Sequence, residues 1–91
     1  MQLEIVSPEA QLFSGEVESV TVPGTSGSFQ ILNNHAPIVS TLVSGRVKIQ
    51  GKISLDQVHQ SKFIQEGNLT YLDIESGAVE LNDNKVILLT D

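Results

Sequence analysis

Two histidines, His35 and His59, are the only imidazoles in the chain, and there is no cysteine. Catalysis by side chains needs a nucleophile with a base, a paired acid and base, or a metal cluster. A zinc site would need both histidines plus carboxylates at ligand spacing, and no His-x-x-x-His or similar grouping exists. The closest carboxylate pairs, Glu16 with Glu18 and Asp73 with Glu75, are two residues apart. On a strand that spacing places both on one face, which describes a solvated surface better than an acid–base pair. Gly24-Thr25-Ser26-Gly27 is not followed by Gly-Lys-Ser/Thr or by a helix, so it is not a phosphate loop. The residues predict no catalytic site, no cofactor and no metal.

What remains is the stretch Asn33-Asn34-His35-Ala36-Pro37, an imidazole and a proline between two apolar runs. Taken alone it is ordinary turn chemistry: asparagine tolerates a left-handed backbone and proline presets φ.

The elements around it alternate with a period of two. Leu3 and Ile5 oppose Gln2 and Glu4 until Pro8-Glu9 ends the run. Leu12 and Phe13 precede Gly15. In Glu16 to Val22 the alternation slips phase, and a β-bulge near Glu18-Ser19 would repair it. Pro23 to Gly27 is a turn, and Ser28 to Leu32 a strand with Phe29 and Ile31 on one face. Ile38 to Val43 and Arg46 to Gln50 flank Ser44-Gly45, which predicts a tight hairpin. Between 51 and 68, Lys52 to Leu55 and Lys62 to Gln65 form either a strand pair or the flanks of a short helical turn. Leu69 to Glu75, Ala78 to Leu81 and Lys85 to Thr90 complete the chain. The expected fold is all-β: about nine or ten short strands in two packed sheets, one domain over residues 1–91. Leu3, Ile5, Val20, Val22, Phe29, Ile31, Val47, Val86 and Leu88 are the expected core.

Composition agrees. Val, Ile and Leu dominate the 40% hydrophobic fraction, with three Phe, one Tyr and no Trp. The net charge of −6 opposes binding to nucleic acid, whose phosphates need a basic face. Four of the five basic residues (Arg46, Lys48, Lys52, Lys62) fall between 46 and 62. They read first as scattered solvated charge, with a basic recognition edge as the alternative. No signal peptide is visible, so the sequon Asn68-Leu69-Thr70 carries little meaning. No apolar run approaches the ~20 residues of a membrane span, so any membrane association is expected through partners.

Residues 20–42, Val-Thr-Val-Pro-Gly-Thr-Ser-Gly-Ser-Phe-Gln-Ile-Leu-Asn-Asn-His-Ala-Pro-Ile-Val-Ser-Thr-Leu, resemble the ε subunit of F-type ATP synthases. The shared pattern is hydrophobic-Pro-Gly-x-x-Gly, a strand, then His-Ala-Pro and an apolar run. Three further stretches look similar in the same order: Leu3 to Glu9, Phe13 to Val17, and Gly77 to Val86. The likeness is weakest from 50 to 70.

This resemblance implies a ten-stranded β-sandwich without catalytic residues, at the foot of the rotating central stalk. Its implied partners are the γ subunit and the polar loops of the membrane c-ring. The implied role is coupling ion flow to rotation of γ, and the implied location is the cytoplasmic face of a bacterial inner membrane. Carried over by position, Ser28, Asn33, Asn34, His35, Ala36 and Pro37 would face the ring, and one sandwich face would bind γ.

The sequence also departs from the family pattern. Ser28, Gln30 and Asn33-Asn34 stand where an acid, glycine and Pro-Gly are common. Ser76 and Ala78 replace a commoner glycine and aromatic, and 51–68 is longer than usual, an expected extended hairpin. Many relatives continue into a two-helix domain that restrains ATP hydrolysis, whereas this sequence stops at Thr90-Asp91. If 91 residues is the natural length, the resemblance implies a β-sandwich subunit with no C-terminal helical domain and without that restraint. A free-standing β-sandwich that binds a peptide or ligand through 51–68 is the alternative function.

Overall fold

Alternation on the first strand, β1 (Gln2–Val6), buries Leu3 and Ile5 completely and leaves Gln2 and Glu4 half-exposed. The computed structural model describes residues Met1–Asp91. Nine further strands follow: β2 (Gln11–Glu16), β3 (Ser19–Gly24), β4 (Gly27–Leu32), β5 (Ile38–Leu42), β6 (Gly45–Gln50), β7 (Phe63–Glu66), β8 (Leu69–Ile74), β9 (Gly77–Asn82) and β10 (Lys85–Thr90). The only helical turn is a 3-10 turn at Gln60–Lys62.

The strands form two five-stranded layers, ordered β2-β1-β10-β9-β5 and β4-β3-β6-β8-β7. A single bridge, Gly24 to Leu42, joins them along one side. All neighbours are antiparallel except β1 and β10. Both inner faces contribute to one hydrophobic cluster, in which Leu3, Ile5, Val20, Val22, Ile31, Val47, Val86 and Leu88 have no exposed surface. Phe29, the remaining expected core residue, is only partly buried. It lies on β4, an edge strand, and its ring covers Gly24 rather than the centre of the sandwich: a Cβ on Gly24 would be 2.8 Å from Phe29 Cε1.

Several local expectations change. The phase slip at Glu18-Ser19 is not a bulge but a passage between layers. Val17 N–H donates to the Met1 carbonyl of one layer, and Glu18 N–H to the Gln50 carbonyl of the other, at 2.9 and 2.8 Å. The bulge occurs earlier, at Leu12, because Ile5 pairs with Phe13 and Val6 with Gln11. Leu12 and Phe13 are therefore both buried.

Nor do β5 and β6 form a hairpin. Strand β5 pairs with β9, and β6 with β3 and β8. The chain turns around the end of β3, where Val43 N–H donates to the Pro23 carbonyl at 2.9 Å. Gly45 lies directly on that proline, and a Cβ there would approach Pro23 Cβ to 2.8 Å. Ser44-Gly45 thus carries the chain from one layer to the other. Lys52 to Leu55 forms no strand, so the extended hairpin is absent; of the two readings, the short helical turn is the one found, followed by β7. Ile53 and Leu55 pack against the core, and the Ile53 carbonyl accepts from Gln65 Nε2 at 3.0 Å.

Candidate functional site

Strand β4 ends at Leu32, and the chain must cross layers to begin β5 at Ile38. Asn33–Pro37 makes that crossing, with all five residues exposed. Asn34 supplies the reversal by adopting φ 62, a conformation that asparagine accepts more readily than most residues. His35 N–H then donates to the Leu32 carbonyl at 3.2 Å. The His35 ring turns back on its own loop, with Nδ1 2.7 Å from the Ala36 carbonyl. A carbonyl only accepts, so Nδ1 carries hydrogen and donates, and in the neutral ring Nε2 is the free acceptor.

The loop is tied to the β9–β10 hairpin. Asp83 and Asn84 form its two-residue turn, with φ 50 and 60, the positive values such turns require. Asn84 Oδ1 accepts from Asn34 N–H at 2.8 Å, and Asn84 Nδ2 donates to Asn33 Oδ1 at 2.8 Å. Nothing in the sequence announced this pairing of residues 50 positions apart.

Ser28 is not part of this cluster. It is exposed beside the Thr25-Ser26 turn, opposite Pro23, at the other end of β4. Asn33 lies five residue steps of extended chain beyond it, roughly 16 Å at strand rise. The structure brings Asn33, Asn34, His35, Ala36 and Pro37 together and leaves Ser28 apart.

Beside the loop lies a surface that the sequence reading did not single out. On the outer face of the first layer, cross-strand pairing aligns Val39, Glu80 and Ile87 in one row, and Thr41, Ala78 and Leu89 in the next. Val39 is 81% exposed and Leu89 50%. With Ala78, Val79, Glu80 and Ile87 they line a shallow hollow of about 270 Å³. A second hollow of about 280 Å³, lined by Pro37, Ile38, Val39, Glu80, Leu81 and Asn82, connects this face to the loop. The sequence signal was there in Val86-Ile87-Leu88-Leu89, apolar in both phases, a pattern that belongs to strands covered on both faces. Here only the inner face is covered.

The outer face of the second layer is different. Arg46 donates to both Asp73 oxygens, at 2.7 and 3.2 Å, and its guanidinium lies 5.3 Å from the Tyr71 ring centre. The hydrogen bond and the charge of Asp73 raise the Arg46 pKa, while the bond from Arg46 lowers that of Asp73. Arg46, Asp73 and Tyr71 satisfy one another here, and exposed Ile64, paired with Tyr71, and Leu32 on β4 share this face. No group of three His, Asp or Glu side chains stands close enough to hold a metal ion, and no helix is long and apolar enough to cross a membrane.

Residues 1–59 match the family described as the ATP synthase delta/epsilon chain, β-sandwich domain. The ATP synthase epsilon chain of Chlorobium limicola is 41% identical over 90 residues, covering 99% of this chain and 88% of that protein. The corresponding protein of Leptospira interrogans is 38% identical over 91 residues, all of this chain but 61% of its relative. A chain from the central stalk and c-ring of the Tetrahymena thermophila mitochondrial ATP synthase shares the fold. Its TM-score is 0.76 at 15% identity, over 98% of this chain and 61% of that one. With a two-layer strand order and a family match over more than half its length, this chain belongs to the ATP synthase delta/epsilon family, as a β-sandwich of the epsilon type.

Proposed function

We propose that this chain is a non-catalytic subunit of the central stalk of an F-type ATP synthase. It joins γ to the c-ring and helps couple ion passage to rotation. The observation that carries the reading is the exposed apolar face of β5, β9 and β10. Scattered apolar residues are normal on a surface, but a contiguous group on one sheet face is the mark of a partner. A stalk subunit permanently held against γ needs such a face.

The division of the expected contact residues follows from their positions. Asn33–Pro37 borders the apolar face through the hollow at Pro37 and Val39, so it belongs to the γ contact. Ser28, at the far end of β4, is left for the ring. This separates two contacts that the resemblance alone assigned to the ring together. In a bacterial cell the complex would hold the chain at the cytoplasmic face of the inner membrane, through its partners.

The test uses Val39→Lys and Leu89→Lys, measured against a catalytic head that contains γ but lacks this subunit. Lysine at 39 faces Glu80 across the strand pair, so no like-charge repulsion is introduced. Because both sites are half-exposed or more, melting should move by only a few degrees while affinity falls at least tenfold. His35→Ala should weaken the same binding with little change in melting, since the one hydrogen bond of its ring stays within the loop. Undiminished affinity in both lysine variants would remove the apolar face from the γ contact.

A further inference from the structure

We infer that Asn84 is a positioning residue for the partner loop: one carboxamide on the β9–β10 turn holds Asn33 and Asn34 in the shape that docks. This inference rests on the reading of Asn33–Pro37 as part of the γ contact.

The geometry has little freedom. A backbone N–H can only donate, so the bond from Asn34 N–H fixes which side of the Asn84 amide carries oxygen. Nδ2 must then point to Asn33, and the Asn33 side chain presents its oxygen in reply, at 2.8 Å. Both bonds join the loop to a hairpin that is laddered from Asn82–Lys85 to Gly77–Thr90. Apart from this clasp, the loop has only short-range bonds: His35 N–H to Leu32, and the His35 ring to Ala36. Its attachment to the body of the fold between Leu32 and Ile38 therefore depends on Asn84.

An exposed crossing without that attachment samples many conformations. Apparent affinity falls in proportion to the fraction of chains in the competent one. Asn84 acts through Asn33 and Asn34 and needs no contact with γ itself.

Three variants of the 91-residue chain test this. Asn84→Gly keeps the positive φ of the turn, which glycine adopts freely, and removes both bonds. Asn33→Ala removes one bond from the other side and leaves the hairpin intact. Asn84→Asp keeps an acceptor for Asn34 N–H, and its second oxygen can accept from Asn33 once that amide rotates by half a turn.

Two measurements are made on each: hydrogen exchange at the Asn34 amide in the free chain, and affinity for the γ-containing head. Asn84→Gly should lose the Asn34 protection and bind about tenfold more weakly, with Asn33→Ala intermediate. Asn84→Asp should retain the protection and bind within about twofold of the parent. A purely structural role for the hairpin would instead weaken binding only in the Asn84 variants, in step with a lowered melting midpoint, and leave Asn33→Ala parent-like. Parent-like affinity in Asn84→Gly, with His35→Ala still defective, overturns the inference alone. Parent-like affinity in Val39→Lys and His35→Ala overturns the docking reading beneath it, while amide exchange still judges the clasp.

Discussion

Replacing Ile31 by alanine tests the core more sharply than any other single change, because its neighbour on the same strand face provides the control. Ile31 has no exposed surface and pairs across the ladder with Val20, also fully buried. Removing three carbons at ~0.8 kcal/mol each loses about 2.4 kcal/mol of transfer energy, and the unfilled cavity raises the cost to roughly 3–4 kcal/mol. For a domain this small, whose whole stability is on the order of 5–14 kcal/mol, that is a large share. At about 4–8 °C per kcal/mol, the melting midpoint should fall by at least 12 °C. Phe29→Ala, two residues away on the same face, removes a larger group from a partly exposed site over Gly24. Its loss should be smaller, about 1–2 kcal/mol, despite the bigger side chain. Urea unfolding of both variants, with unchanged slope, gives the comparison. An alanine at 29 costing as much as one at 31 would refute the peripheral placement of Phe29 over Gly24, and a parent-like Ile31→Ala would refute the sandwich core.

Two more outcomes follow from the packing and the charges. A Cβ at Gly77 would collide with the Leu89 carbonyl of the paired strand, so Gly77→Ala should cost about 1–3 kcal/mol by thermal melt even though the site is only half-buried; a neutral variant would mean that β9 and β10 can separate locally. The Asp91 carboxylate is held below its ordinary pKa by the backbone N–H of Glu75, by the Thr90 hydroxyl and by Ser76 N–H, and Asp73 is held low by Arg46. Both groups bind protons more readily unfolded than folded, so their stabilisation is complete above pH ~4 and is lost as pH falls through the depressed folded values. Removing both, as Asp73→Asn with Asp91→Asn, should flatten the acid side of a stability–pH profile; an unchanged profile would show that solvent screens both carboxylates fully.

Much of this protein can be read from its residues in order. Period-two alternation made it all-β, because a strand that buries one face needs an apolar residue at every second position, and eight of nine expected core residues have no exposed surface. Turn chemistry located the loop at Asn33–Pro37 and the reversal at Asn34, since those preferences belong to single residues. What depended on distant partners was not legible. Ser44-Gly45 looks like a hairpin turn locally, and only the contact of Gly45 with Pro23 makes it a crossing between layers. Val17 and Val20 are out of phase because Val17, just past β2, bonds to one layer while Val20 lies on β3 of the other, which no local window can reveal. Ser28 and Asn33 are close in sequence yet lie at opposite ends of a strand, whereas Asn33 and Asn84 are 51 residues apart and hydrogen-bonded. Local conformation follows from side-chain sterics and is written in the sequence; which strand edge meets which is settled by the packing of the whole chain, and that packing created the apolar face and the clasped loop beside it.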